Sequence, residues 1–160
     1  MNIEFKLAYD KSNDVKVLFD EYIQMLIDGD NNFCKYLKIQ HYDDELAHLE
    51  NKYGLPDGRL YLLYYNDTLA GCIGLRKLNN DNCEMKRLYI RSDFRGKQLG
   101  NYLVKKIISD AREIGYKSIL LDTMPFLTNA IKLYKKYKFY EIERYNDSPI
   151  DSTIYMKLDL

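Results

Sequence analysis

The sequence predicts an α/β domain built on a mixed, mostly antiparallel sheet of about seven strands. Three observations predict it. Seven short β-prone runs are spread along the chain, two of them joined by the hairpin signal Asn66-Asp67. A segment of helical period separates the fourth run from the fifth, forming a βαβ unit that makes those two strands parallel. At the strand-to-helix turn of that unit stands Arg95-Gly96-Lys97-Gln98-Leu99-Gly100, which is suited to hold a phosphate.

Each element follows from local pattern. Residues Ile3 to Tyr9 alternate apolar with polar and read as a first strand. Ser12 or Asn13 caps a helix with an apolar face of Val15, Leu18, Phe19, Tyr22, Ile23 and Leu26, ending by Gly29. A second helical region in two pieces follows Asp30-Asn31-Asn32; its later piece carries Leu46, Leu49 and Tyr53 before Gly54. After the turn Leu55-Pro56-Asp57-Gly58 come strands over Arg59 to Tyr65 and Leu69 to Leu78, with Gly71 and Gly74 marking a bulge or a close backbone approach. The strand Cys83 to Arg91 leads through the phosphate turn into a helix with Leu99, Leu103, Ile107, Ala111 and Ile114 on one face, closed at Gly115. Ser118 to Asp122 is a continuous apolar run, as expected of a strand buried on both faces. A helix from about Thr128 to Lys136 and strands over Phe139 to Tyr145 and Thr153 to Leu158 complete the order.

Composition narrows the function. A chain of 160 residues suits one domain, over 1–160, with a core of its own. Its 24 Lys+Arg balance 24 Asp+Glu, so no net basic field draws it to nucleic acid or an anionic membrane. The start of the chain lacks a basic region followed by an apolar core, and no apolar run would span a bilayer; the expectation is a cytoplasmic protein. Cys34, Cys72 and Cys83 form no Cys-x-x-Cys pair, and His41 and His48 lie seven apart, so neither a disulfide framework nor a metal site is expected. The 16 tyrosines are read mostly as amphipathic packing residues, a few of them lining a pocket.

The turn at Arg95 resembles the acetyl-coenzyme A motif of the GNAT N-acetyltransferases, Gln/Arg-x-x-Gly-x-Gly/Ala, with Gln98 where the inner glycine usually stands. The element order also resembles that family's acyl-CoA N-acyltransferase fold. Glu84 to Ile90, Leu121-Asp122-Thr123 and Ala130 to Tyr134 together resemble a bacterial small-molecule subgroup of it. The resemblance implies acetyl-CoA as acyl donor, a small-molecule primary amine as acceptor, direct attack in a ternary complex, no metal, and room for a homodimer. It also implies that the fourth and fifth strands splay apart to receive the thioester arm. Leu88, Tyr89 and Ile90 would pair with that arm through backbone groups, and Arg95, Gly96, Lys97, Gln98, Leu99 and Gly100 would hold the pyrophosphate. Asn129 would serve for an asparagine that many members place where this chain has Leu127.

Two residues are expected to move protons. Leu133-Tyr134-Lys135-Lys136-Tyr137-Lys138-Phe139 resembles the family's Leu-Tyr-x-x-x-Gly-Phe segment, which makes Tyr134 the general acid for the leaving thiolate; Lys138, in place of glycine, predicts a different turn into Phe139. Glu84, eleven positions before Arg95, matches the spacing of the histone-type members' catalytic glutamate and is expected to be a base with a raised pKa, the bland alternative being an ion pair with Arg87 or Lys86 on a solvated face. Arg76, Arg87, Tyr140 and Tyr145 are candidates for the acceptor pocket. The substitutions Gln98, Leu127 and Lys138 keep a non-catalytic acyl-CoA-binding or regulatory module open as an alternative, beside a protein or peptide amine acetyltransferase.

Overall fold

The computed structural model describes residues 1–32 and 42–160; Cys34, His41 and the first piece of the second predicted helical region lie outside the described residues. The elements are β1 (Ile3–Leu7), α1 (Ser12–Gly29), α2 (Tyr42–Ala47), α3 (Leu49–Tyr53), β2 (Arg59–Tyr65), β3 (Thr68–Lys77), β4 (Asn82–Ile90), α4 (Leu99–Ile114), β5 (Ser118–Thr123), α5 (Thr128–Lys136), β6 (Tyr140–Ile142) and β7 (Ile154–Asp159). One seven-stranded sheet has the order β1-β2-β3-β4-β5-β7-β6. Every neighbouring pair is antiparallel except β4 and β5, as the crossover through α4 requires.

Helices cover both faces of the sheet. Leu99, Leu103, Val104, Ile107 and Ala111 of α4 pack on Leu63, Ile73, Leu75, Met85 and Ile119. On the other face Val15, Leu18 and Phe19 of α1, with Leu49 and Tyr53 of α3, pack on Leu60, Leu62 and Cys72. The helical stripe read from the sequence is therefore the stripe that is buried. The Asn66-Asp67 hairpin closes with φ of 47° and 67°, the paired positive angles of a type I′ turn. Gly74 marks a close approach, because a Cβ there would lie 2.8 Å from the Tyr53 ring.

Two features of β4 position the site. The first is its short pairing with β5: only Asn82, Cys83 and Glu84 pair, with Ser118, Ile119 and Leu120, so the strands separate beyond Glu84. The second is a bulge. Lys86 faces Gly74 and Tyr89 faces Cys72, so Arg87 and Leu88 together oppose Ile73, and Arg87 takes φ 59°.

Two predicted elements differ from the structure. The strand expected over Phe139 to Tyr145 is only Tyr140–Ile142, because the chain then leaves the sheet: Arg144 donates to the Ser148 carbonyl and Tyr145 donates to Glu84. Lys138 does not make a different turn. It takes the left-handed conformation a glycine would supply, φ 75°, while Phe139 N–H bonds Tyr134 O at 3.0 Å and Lys138 N–H bonds Lys135 O at 3.0 Å to close α5.

Candidate active site

The phosphate turn is built by backbone conformation. A 3₁₀ turn at Ser92–Phe94 ends β4, and Gly96 (φ 82°) and Gln98 (φ 60°) then turn the chain through the left-handed region into α4. Gln98 thus adopts the geometry of the glycine it replaces, at a cost of about 1 kcal/mol. Among the described residues no side chain caps α4; Asn101 N–H bonds Gln98 O at 3.2 Å, and the other first-turn N–H groups and the positive end of the dipole are left for an anion.

This turn forms one end of a groove of about 480 Å³, a volume that suits a cofactor. Its walls include Leu88, Tyr89, Ile90, Arg95, Gly96, Gln98, Leu99, Gly100 and Asn129. Sequence reasoning named all nine. Arg95 donates from Nε to Ile90 O at 3.2 Å, and its guanidinium carbon lies 5.9 Å from the Tyr89 ring centroid, so the charge is held beside the groove. Lys97 is not in its walls; the ammonium sits 5.2 Å over the Tyr65 ring. The residues present fit a coenzyme A chain: uncapped N–H groups and Arg95 at one end, and the edge of β4 along the side.

The opening between β4 and β5 continues the groove as a smaller cavity of about 40 Å³. Met85, Lys86, Arg87 and Leu88 form one wall and Asp122, Thr123 and Met124 the other. Tyr134 lines both the groove and this cavity, and so does Tyr22 of α1. Burial, with Tyr22 and Asp122 near, pushes the Tyr134 phenol above its ordinary value, so it carries its proton at neutral pH, as a donor must. Tyr22 is pushed up to about 12, chiefly by burial.

Glu84 stands elsewhere. It lies at the last paired position of β4, in the wall of neither the groove nor this cavity. Oε1 accepts from Arg76 Nε at 2.8 Å and lies 3.8 Å from Lys86 Nζ, and Oε2 accepts from the Tyr145 hydroxyl at 2.5 Å. Burial would raise its pKa, but Lys86 and Arg76 and the hydrogen bonds from Tyr145 and Arg76 outweigh burial and hold the carboxyl below its usual value. The expected raised pKa is therefore reversed, and a carboxylate so held is a poor base. The pairing with Lys86 does occur, although inside the protein and at a longer distance than that with Arg76.

The acceptor-pocket candidates separate. Arg87 is buried in the cavity wall, bidentate to Glu45 with Nε–Oε2 and Nη2–Oε1 both 2.9 Å, and flanked by the rings of Phe19 and Tyr42. Glu45 also accepts from Lys52 at 2.7 Å and from the Tyr53 hydroxyl at 2.9 Å. Arg76 and Tyr145 are engaged by Glu84, whereas Tyr140 is exposed on β6 and bonds Asp159, away from the cavity. Cys72 and Cys83 are buried thiols pushed up to about 12 by burial, outside both cavities, so neither serves as a nucleophile.

Sequence reasoning missed Tyr22, Asp122 and Thr123 as site residues. Tyr22 looked like one more apolar-face residue of α1. Asp122 had a signal: it is the one charge in an otherwise apolar strand, and here it faces the gap with Asn146 Nδ2 bonded to its Oδ2 at 2.7 Å. Thr123 is buried, and its Oγ1 has no hydrogen-bond partner among the described residues.

Comparison with known proteins agrees with this geometry. The family model "Acetyltransferase (GNAT) family" matches residues 24–139. An uncharacterized N-acetyltransferase of Schizosaccharomyces pombe is 39% identical over 150 residues, covering 92% of this chain and 88% of its own. One from Dictyostelium discoideum is 31% identical, with all of both chains covered. The crystal structure of the PaiA N-acetyltransferase of Thermoplasma acidophilum in complex with coenzyme A superposes with a TM-score of 0.76 at 17% identity, covering all of both chains. With an uncapped helix start, a groove of cofactor volume and a buried phenol at the strand gap, this chain belongs to the GNAT family and is an acetyl-CoA-dependent N-acetyltransferase.

Proposed function

We propose that the chain, as one domain in the cytoplasm, acetylates a primary amine of a small molecule by direct attack in a ternary complex, with Tyr134 as the general acid. The observation that carries this reading is the position of Tyr134, in the wall shared by the groove and the cavity between β4 and β5. Acetyl-CoA supplies the activated acetyl group when bound. The first-turn N–H groups of α4 and Arg95 then hold the phosphates, and the edge of β4 aligns the arm toward the gap. Tyr134 donates its proton to the leaving sulfur. Burial raises the phenol's pKa, so Tyr134 keeps its proton at neutral pH until the thiolate forms to take it. Asp122, in the wall facing β4, stabilises the incoming amine while its proton leaves through water. The small size of the cavity favours a small-molecule acceptor over a protein tail.

The test is Tyr134→Phe, read by thiol release and by calorimetric titration with acetyl-CoA. Turnover should fall by about two orders of magnitude with cofactor affinity kept. Unchanged turnover would remove Tyr134 from the acid role, and Tyr22→Phe, which retains Tyr134, is the control for the neighbouring phenol.

A further inference from the structure

The cavity between β4 and β5 has a charge pattern that the transfer chemistry does not use. Strand alternation alone would turn Glu84 and Lys86 toward α1–α3 and Arg87 toward α4. The bulge changes this: Arg87 reaches Phe19, Tyr42 and Glu45 on the α1–α3 side, so two consecutive cations, Lys86 and Arg87, share one side.

Four cations, Lys52, Arg76, Lys86 and Arg87, gather there with Glu45 and Glu84, while a third carboxylate, Asp122, stands in the opposite wall of the cavity. Glu45 is taken by Arg87 and Lys52, and Glu84 by Arg76 and by the Tyr145 hydroxyl. What remains for Lys86 is a 3.8 Å contact to the Glu84 oxygen that Arg76 already holds at 2.8 Å. Yet the Lys86 side chain is only 9% exposed. A cation so buried, with one long shared partner among the described residues, calls for a further anion. Residues 33–41 contain no Asp or Glu that could supply one. Lys86 lines the cavity, and so does Thr123, whose buried Oγ1 has no hydrogen-bond partner among the described residues.

We infer that the acceptor is a small amino acid, its carboxylate received by Lys86 and Thr123 on one side of the cavity and its amine directed toward Tyr134 and Asp122. The inference rests on the amine-acetylating reading of the same cavity and adds the acceptor's class. A carboxylate fits a cavity of about 40 Å³, which has room for only a few non-hydrogen atoms. Diamines and polyamines are disfavoured, because their second cation would meet Lys86 and Arg87.

The test is calorimetric titration of the full chain, saturated with coenzyme A, against amino acids with one to three methylenes between amine and carboxylate, their primary amides, and putrescine. At least one amino acid should bind about ten-fold or more tightly than its amide. Lys86→Met should remove that difference, and Lys86→Arg, which keeps the charge, should retain it. An amide or putrescine binding as tightly as the amino acids, no binding by any of them, or a Lys86→Met variant that keeps the preference would overturn the inference. Thiol release is read separately. Carboxylate-selective binding without turnover would withdraw the transfer reading and leave the anion site standing, whereas turnover of putrescine alone would do the reverse.

Discussion

Removing the Glu45 carboxylate should cost more stability than any other single change in the charged cluster. The Glu45 and Arg87 side chains are 2% and 4% exposed, and two 2.9 Å hydrogen bonds join them. Glu45→Ala takes the carboxylate from a buried guanidinium, from Lys52 and from the Tyr53 hydroxyl at once. Breaking a buried pair from one side costs about 3–5 kcal/mol, a large share of the roughly 5–15 kcal/mol that holds a domain of this size. Urea unfolding followed by circular dichroism reads the loss: with a slope of about 2 kcal/mol per molar, the midpoint should fall by about 2 M. The double variant Glu45→Leu/Arg87→Met separates the desolvated charge from simple loss of packing. It should recover more than about 2 kcal/mol relative to the sum of the singles, since an apolar pair no longer confines a charge. Additive singles, or a Glu45→Ala loss below about 1 kcal/mol, would refute the reasoning, because the cluster would then be as well solvated as a surface pair.

Three further outcomes are expected. Arg95→Ala should weaken acetyl-CoA binding about ten-fold in calorimetry with the melting temperature nearly unchanged, since Arg95 is exposed beside the groove and its contacts, a 3.2 Å bond to Ile90 O, a 3.7 Å contact to Met25 Sδ and the Tyr89 ring, are peripheral to the core. Gly96→Ala should cost about 1 kcal/mol, read as a lower urea midpoint; at φ 82° with nothing within 4 Å of the added methyl, the penalty is backbone conformation alone, and no loss would contradict the left-handed turn. Glu45 and Glu84 are both held below the usual 4.5, burial being outweighed at Glu45 by Arg87 and Lys52 and at Glu84 by Lys86 and Arg76. The unfolded chain therefore takes up protons near pH 4.5 that the native state refuses, so this stability is complete above about pH 5 and is lost as pH falls below about 4.5. Urea midpoints measured across that range should drop in the parent and flatten in Glu45→Gln; a level parent profile would contradict the pairing.

The elements were legible because their signals are local. An apolar period marks α4, Asn66-Asp67 supplies the residues of a type I′ turn, and a basic glycine-containing turn precedes a helix, each readable within a few positions. The wall of the groove was legible for the same reason, since nine of its residues come from two adjacent stretches and one helix start. The base was not. Whether a buried carboxylate is raised or lowered depends on which cations reach it, and Arg76 and Tyr145 reach Glu84 from eight and 61 positions away. Spacing to Arg95 carries no information about them. Tyr22 was hidden by a similar limit, because a tyrosine on an apolar helix face reads as core until the strand gap opposite it is known.

The bulge in β4 links the two halves of the site, and its trace in the sequence could have been read. Met85-Lys86-Arg87-Leu88 places two cations between two apolar residues, where strict alternation would drive Arg87 into the packed α4 face. Burying a guanidinium there without a partner is far more costly than inserting one unpaired residue, so the strand resolves the conflict by bulging at Arg87, φ 59°. The same insertion sets the side on which every later residue falls. Tyr89 packs with α1 and Leu88 and Ile90 with α4 because the count shifted by one at Arg87. One backbone irregularity therefore brings Arg87 to the side of Lys86, in the wall of the cavity proposed for the acceptor, and sets the facing of the strand proposed to align the cofactor arm. A variant that straightened β4 would lose both together, acceptor affinity and acetyl-CoA affinity falling in parallel, even though Lys86 and the phosphate turn were untouched.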